Sequence, residues 1–225
     1  MTLETVPAGE LFYGFPIFVL TYRDEHVGWN MTVCSSSFAL REAMVFGLRA
    51  TGGAAAQIKR AGECTLSVVS RLDMPIVEKL GRLHGTVVNT ADGTSANASG
   101  NVVGVDKIAA VGAHTETLPG SDLKYLASAQ LVFDLEIENT HDALKERIFT
   151  ARIRGQYADA RLLRPEGEGE TRDGGSGIVG GASLEERKKA LSHRIEPVLF
   201  AGADHLIYKY FSTETNHFGD FRKGE

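Results

Sequence analysis

The chain has 225 residues, 43% of them hydrophobic and 24% charged, with a formal net charge of −5. That length suits one large domain or two small ones, and that apolar share supports a real core and argues against wholesale disorder. A net negative charge gives no basic footprint for nucleic acid, no window reaches the roughly 18 apolar residues of a membrane span, and the two cysteines exclude a disulfide framework.

The N-terminal residues MTLETVPAGELFYGFP have no basic start and no long apolar stretch, so no secretory leader is expected. Cys34 and Cys64 then suit a reducing, cytoplasmic setting, packed as small hydrophobes; a single bridge between them is the alternative. The first element is GFPIFVLTYRD, a strand rich in aromatic and β-branched residues. DEHVG reads as a hairpin loop and WNMTVC as the returning strand, with Met31 and Val33 on one face and Thr32 and Cys34 on the other. AMVFGLRA is a third strand. TGGAAAQIKRAG reads as a short helix capped by Thr51 and ended by Gly62. ECTLSVVS is a fourth strand, and DMPIVEKLGRLHG a second helix with Pro75 in its first turn and Gly85 after its end.

Residues 86–101 are small and polar and read as a long surface loop, followed by a turn or short helix at VDKIAAVG. ASAQLVFDLEIENTHD and KERIFTARIRGQYAD are two long alternating strands, expected to pair antiparallel. An acidic, Gly-rich insert near 165–182 reads as a mobile loop, with a lid as the alternative. SLEERKKALSHRI is a helix opened by a capping box, Ser183 with Glu186, and HLIYKYF is a last strand. About seven strands with short helices between them imply a mainly β, antiparallel barrel forming one domain over 1–225, not a parallel β-α-β sheet. There is no P-loop, no Rossmann glycine fingerprint and no clustered metal-ligand spacing among the seven histidines.

Two stretches can carry chemistry. In NMTVCSSSFAL a run of small hydroxyl residues follows a strand, which lets backbone approach a flat ligand closely and offers short-range donors and acceptors. In GLRATGGAAAQI, Arg49 and Thr51 precede Gly52, Gly53 and a helix, whose unsatisfied first N–H groups and dipole make a phosphate seat. The bland readings are a serine-rich turn and a helix start with a solvated arginine. The stretches lie close enough in sequence for one elongated ligand, a polar ring with a phosphate, to touch both; FMN has that shape.

The order of YGFPIFVLTYRD, NMTVCSSSFAL, GLRATGGAAAQIKRAGECTLSVVS, EKLGRLHG, GVDKIAAVG, LVFDLEIE and EPVLFAGADHLIYKYF resembles the flavin reductase-like, FMN-binding split-barrel (flavoredoxin-like) family over roughly residues 10 to 220. The resemblance implies a split β-barrel with FMN as cofactor. It implies that Asn30, Thr32, Ser35, Ser36 and Ser37 lie along the ring and ribityl groups, that Arg49 and Thr51 hold the phosphate, and that Lys107 contacts flavin or phosphate while Asp106 is structural. Ala54 departs from the family's hydroxyl residue at the helix start, a loss that Gly52 and Gly53 N–H groups could offset. His217 is either a surface residue or folds toward the flavin, and Trp29 and Phe38 either pack on the flavin or serve the core. A nicotinamide nucleotide, NADH or NADPH, is the implied electron donor and a homodimer the implied assembly, with exposed Phe12, Tyr13 and Phe15 in keeping. The implied activity moves electrons to flavin or another small-molecule acceptor and needs no catalytic side chain. The alternatives are an FMN electron carrier serving a protein partner and a flavin-free barrel acting as a binding module.

Overall fold

The structure, a computed structural model, describes residues 15–83, 86–88, 102–163, 183, 191, 194–195 and 197–200. The aromatic run at the start forms β1 (Phe15–Pro16) and β2 (Phe18–Asp24), and a tight turn leads through Gly28, at φ +82, into β3 (Gly28–Cys34). Ser35 and Ser36 then join β3 to β4 (Ser37–Leu40), which turns directly into β5 (Ala43–Arg49). Helix α1 (Gly53–Ala61) follows, ended by Gly62 in the left-handed region at φ +74 as its sequence foretells, and then β6 (Glu63–Val68).

A 3-10 turn (Arg71–Asp73) opens α2 (Met74–Arg82), with Pro75 in its first turn. Next come β7 (Thr86–Val88), β8 (Val102–Gly104), α3 (Lys107–Val111), β9 (Thr115–Thr117) and β10 (Lys124–Leu126). The two long strands are β11 (Leu131–Ala143) and β12 (Glu146–Ala158), antiparallel as expected, and β13 (Leu199–Phe200) pairs with β1.

The principal sheet has seven antiparallel strands in the order β3-β2-β6-β11-β12-β5-β4. Its two outermost strands, β3 and β4, are consecutive in the chain. Laid flat, such a sheet would hold its edges roughly 29 Å apart at ~4.8 Å per strand. The step from Cys34 to Ser37 reaches at most about 11 Å. The sheet therefore curls until its edges meet, yet no ladder joins β3 to β4. The result is an antiparallel barrel split along one seam, and the serine run crosses that seam.

Alternation along the strands sorts the side chains into two cores. Inside the barrel lie Leu20, Tyr22, Leu66, Leu135 and the stacked rings of Phe46 and Phe149, 4.8 Å apart, with Ala55 and Ile58 of α1 packed among them. On the outer face of β2 and β3, Val19 and Met31 pack against Val77 and Leu80 of α2 and Val111 of α3. Cys34 and Cys64 are both buried free thiols in the inner core.

Several expectations need correction. SFAL is a strand, not the tail of the serine run, and residues 86–88 are a strand paired with β8 instead of loop. The β9–β10 hairpin was not foreseen either. Thr51 does not cap α1. The chain enters the helix one residue later, so Gly52 is the cap and no side chain bonds the first turn. The Gly-rich insert at 165–182, Gly85, most of the helix expected at 183–195, the strand expected at 205–211, Phe12, Tyr13 and His217 lie outside the described residues.

Candidate functional site

The ladder between β4 and β5 brings the two chemistry-bearing stretches together. Ser37 pairs with Phe46, and one step further the Gly47 N–H donates to the Ser36 carbonyl at 2.8 Å. The Cys34 thiol, buried beneath, donates to the carbonyls of Ser36 (3.7 Å) and Gly47 (3.5 Å), tying both sides of the seam. Burial pushes that thiol up to about 11, so it serves here as a packed donor and not as a nucleophile.

Met44, Phe46 and Leu48 are buried, so period two places Val45, Gly47 and Arg49 on the outer face of β5. Their ladder neighbours there are Phe38, opposite Val45, and Ile148, opposite Gly47. Phe38 is 56% exposed and Ile148 37%. The outer wall beside the seam is thus an apolar platform with a gap in relief at Ser36 and Gly47, and Arg49 at its end. A Cβ on Gly47 would lie 3.6 Å from that of Ser36, so any larger side chain would fill the gap. Ser37, opposite the buried Phe46, turns its Oγ to the inner face, shut away from solvent with no hydrogen-bond partner among the described residues, which departs from the ring contact the resemblance implies.

Arg49 is exposed and forms no ion pair among the described residues, although Glu146 stands opposite it in the ladder. Its carbonyl accepts the Gly52 N–H at 2.9 Å, closing the turn that aims α1. Gly52 therefore cannot offer its N–H to a ligand as expected; Gly53 N–H, at the first helical position, has no partner within α1. A Cβ at Gly52 would come within 3.1 Å of the Arg49 carbonyl, which explains the glycine. No acidic residue lies in the first turn of α1, and Thr51 is exposed beside it. Among the described residues this helix tip combines an uncapped positive dipole end with an unpaired guanidinium.

Asn30 and Lys107 form a separate group at the far end of β3. Asn30 is 1% exposed, and all its hydrogen bonds stay inside the chain. Its Nδ2 donates to Asp24 Oδ2 (3.0 Å) and to the Val105 carbonyl (2.8 Å), while its Oδ1 accepts the N–H groups of Met31 (2.9 Å) and Lys107 (3.1 Å). A side chain so engaged offers nothing to a ligand, which departs from the role the family resemblance implies. Asp106 caps α3 through the Ala109 N–H at 2.9 Å, the structural role expected of it. Thr32 lies half-buried on β3 between the two groups.

A cavity of about 680 Å³ opens elsewhere, lined by Glu63, Gly120, Ser121, Asp122, Asp134 and Arg154. A β-bulge at Arg154 turns its guanidinium onto Asp134 and Glu63, and Arg23 pairs with Asp122. Its three carboxylates outnumber the two arginines that pair with them, so it has less to offer a phosphate than the seam. No three His, Cys, Asp or Glu side chains among the described residues gather as a metal group, and no helix among them is long and apolar enough to cross a membrane.

No protein-family model and no curated protein matches the chain. Solved structures do. The flavoredoxin of Desulfovibrio vulgaris (Miyazaki F) superposes with a TM-score of 0.60 at 16% identity, covering 95% of this chain and 100% of its own. A split-barrel protein of the flavin reductase type from Shewanella frigidimarina NCIMB 400 gives 0.59 at 13% identity, over 88% of this chain and 83% of its own. An FMN-binding protein from Thermus thermophilus, with 1-cyclohex-2-enone bound, gives 0.55 at 16% identity, over 73% of this chain and 82% of its own. The fold is that of the flavin reductase split barrels and flavoredoxins.

Proposed function

We propose that the protein is an FMN-binding flavoprotein that carries electrons from a nicotinamide nucleotide to flavin or another acceptor. The observation that carries this reading is the seam itself: Ser36 and Gly47 leave relief in the barrel wall, and Arg49 and the bare tip of α1 adjoin it along one strand face. The residues present fit the group. The platform of Phe38, Val45 and Ile148 suits a flat ring, a Cβ at Gly47 would fill the gap where that ring would lie, and Arg49 with the Gly53 N–H suits a phosphate. Neighbours whose names state FMN binding or flavoredoxin share the fold and support the choice of ligand.

The flavin, when bound, supplies the hydride and electron chemistry; the chain supplies placement. Arg49 and the α1 tip would hold the phosphate. The hydroxyl and backbone donors of Ser35 and Ser36 would border the ring, where fixed donors favour developing negative charge. Phe38 and Leu40, 56% and 58% exposed on the open edge strand β4, support a homodimer that covers this wall.

Purified protein decides the matter. Titration with FMN, followed by quenching of flavin fluorescence, should saturate at micromolar ligand, and the bound flavin should bleach on anaerobic addition of NADH or NADPH. Bleaching only by a reduced protein partner selects the electron carrier instead, and failure to bind FMN rejects the reading.

A further inference from the structure

Strand β11 changes faces partway along its length. Phe133, Leu135 and Ile137 belong to the inner core, and unbroken alternation would send Asn139 and His141 inward after them. An extra residue at Glu138 prevents it. Ile137 pairs with the fully buried Ala151, but Asn139 then pairs with Thr150 and His141 with Ile148. Ile148 belongs to the outer wall, so this bulge carries His141 onto that wall, where it is exposed. Neighbours across the strands now form one outer row: Ser36, Gly47, Ile148 and His141. His141 stands two strands from Gly47, about 10 Å. A ring laid over Gly47 and Ile148 ends beside it.

The charged groups around it leave its imidazole unclaimed. Asp142, next along β11, is held by Arg147, and Glu138 stands 3.6 Å from Arg152. Lys59 of α1 is exposed and acts on Asp142, while Arg49 and Glu146 occupy the neighbouring outer row. We propose that His141 is a catalytic acid of this site, handing a proton to the electron acceptor. The proposal rests on the flavin reading and adds a step that the cofactor does not supply. Hydride transfer needs no side chain, but an acceptor that gains a hydride is left with negative charge on oxygen or nitrogen. An imidazole gives and takes protons near neutral pH and suits that need. In the balanced step the hydride carries two electrons from cofactor to acceptor. The acceptor's charged atom then bonds the proton as the imidazolium N–H breaks, and the neutral imidazole regains a proton from water. The acceptors that fit are quinones and other conjugated carbonyl compounds.

The test compares the parent with His141→Gln, a change at an exposed position. In NMR spectra of ring-labelled histidines, the signal that His141→Gln removes belongs to His141. FMN should move that signal and leave in place that of His26, which lies in the β2–β3 turn beside Glu25. The bound flavin, photoreduced without oxygen, is then mixed with menadione, which takes up a hydride and a proton, or with ferricyanide, which takes an electron and no proton. Menadione should oxidise His141→Gln at least about tenfold more slowly than the parent. The parent's rate should fall as pH rises from about 5 to 8, where an imidazolium is lost, while the variant's stays level. Ferricyanide should oxidise both alike, and His26→Gln should match the parent throughout. A His141 signal unmoved by bound FMN, equal menadione rates with one pH profile, or equal slowing with ferricyanide overturns the proposal and leaves the flavin reading standing. Failure of FMN to bind the parent rejects both.

Discussion

The Gly47 N–H meets the Ser36 carbonyl at 2.8 Å, and the would-be Cβ of Gly47 stands 3.6 Å from that of Ser36. This contact sets the depth of the seam. Valine at position 47 is compatible with the strand, because β-branched residues favour β structure and glycine carries the larger entropy loss on folding. Its methyls, however, would occupy the relief in which a flat ligand lies. Gly47→Val should therefore melt within a few degrees of the parent and bind FMN at least tenfold more weakly. Unchanged affinity in the flavin titration would remove the seam as the ligand's place.

Arg49 offers the complementary case, a side chain whose loss touches binding alone. It is exposed and unpaired among the described residues, so Arg49→Ala should leave the melting temperature in place. A charge-assisted bond to phosphate contributes about 1.5–3 kcal/mol, so FMN should dissociate roughly 10- to 150-fold more readily. Riboflavin, which lacks the phosphate, should bind parent and variant alike. Arg147 serves as the control: its guanidinium is held by Asp142 at 2.6 Å, and Arg147→Ala should not alter FMN binding. Equal affinities in Arg49→Ala and the parent would displace the phosphate from this loop.

How much of this was legible in the sequence follows from what each feature depends on. Strands β3, β5, β11 and β12 announce themselves by alternation, whereas β2 and β6, buried on both faces, do so by runs of β-branched and apolar residues. Strand β4 does not, because Phe38, Ala39 and Leu40 all lie on an exposed edge and the serines before them read as loop. Closure of the sheet is a tertiary fact, deducible only once β3 and β4 are known to be its outer strands. The site divides in the same way. Arg49, the helix tip and the serine run were readable from spacing, and the β4–β5 ladder joins them. Asn30 was read from resemblance as a ligand, and nothing local shows that Asp24, Val105, Met31 and Lys107 already satisfy it, because the Val105 and Lys107 contacts come from far along the chain.

Asp73 should govern stability without touching the site. Its carboxylate, 2% exposed, accepts from Ser70 N (2.8 Å), Ser70 Oγ (2.9 Å) and the Ser128 hydroxyl, closing a capping box and tying the loop before β11 to the start of α2. Asp73→Ala leaves those donors without partners, at a cost of about 2–4 kcal/mol. Urea unfolding should show the loss as a lower midpoint with an unchanged slope. Bound FMN per folded molecule should stay the same, and a variant as stable as the parent would contradict the capping role.

Alkaline pH should probe the inner core. Burial holds the Cys34 thiol protonated up to about 11, against 9.0 for a free thiol, and pushes Cys64 and Tyr22 upward as well. A raised folded-state pKa means that the native protein keeps a proton the unfolded chain releases, so stability falls as pH rises between the two values. Cys34 therefore contributes fully below pH 9, and a shift of this size removes about 2–3 kcal/mol by pH 11. Lys107 acts in the opposite sense, its lowered pKa favouring the folded state as pH rises. Because three groups pull one way, unfolding midpoints in urea should drop between pH 8 and pH 11, and the drop should be smaller in Cys34→Ala, which lacks the thiol. At pH 8 iodoacetamide should leave both cysteines of the native protein unmodified and alkylate them only after unfolding. Rapid native alkylation, or equal alkaline losses in parent and Cys34→Ala, would mean that the thiol under the seam is open to water.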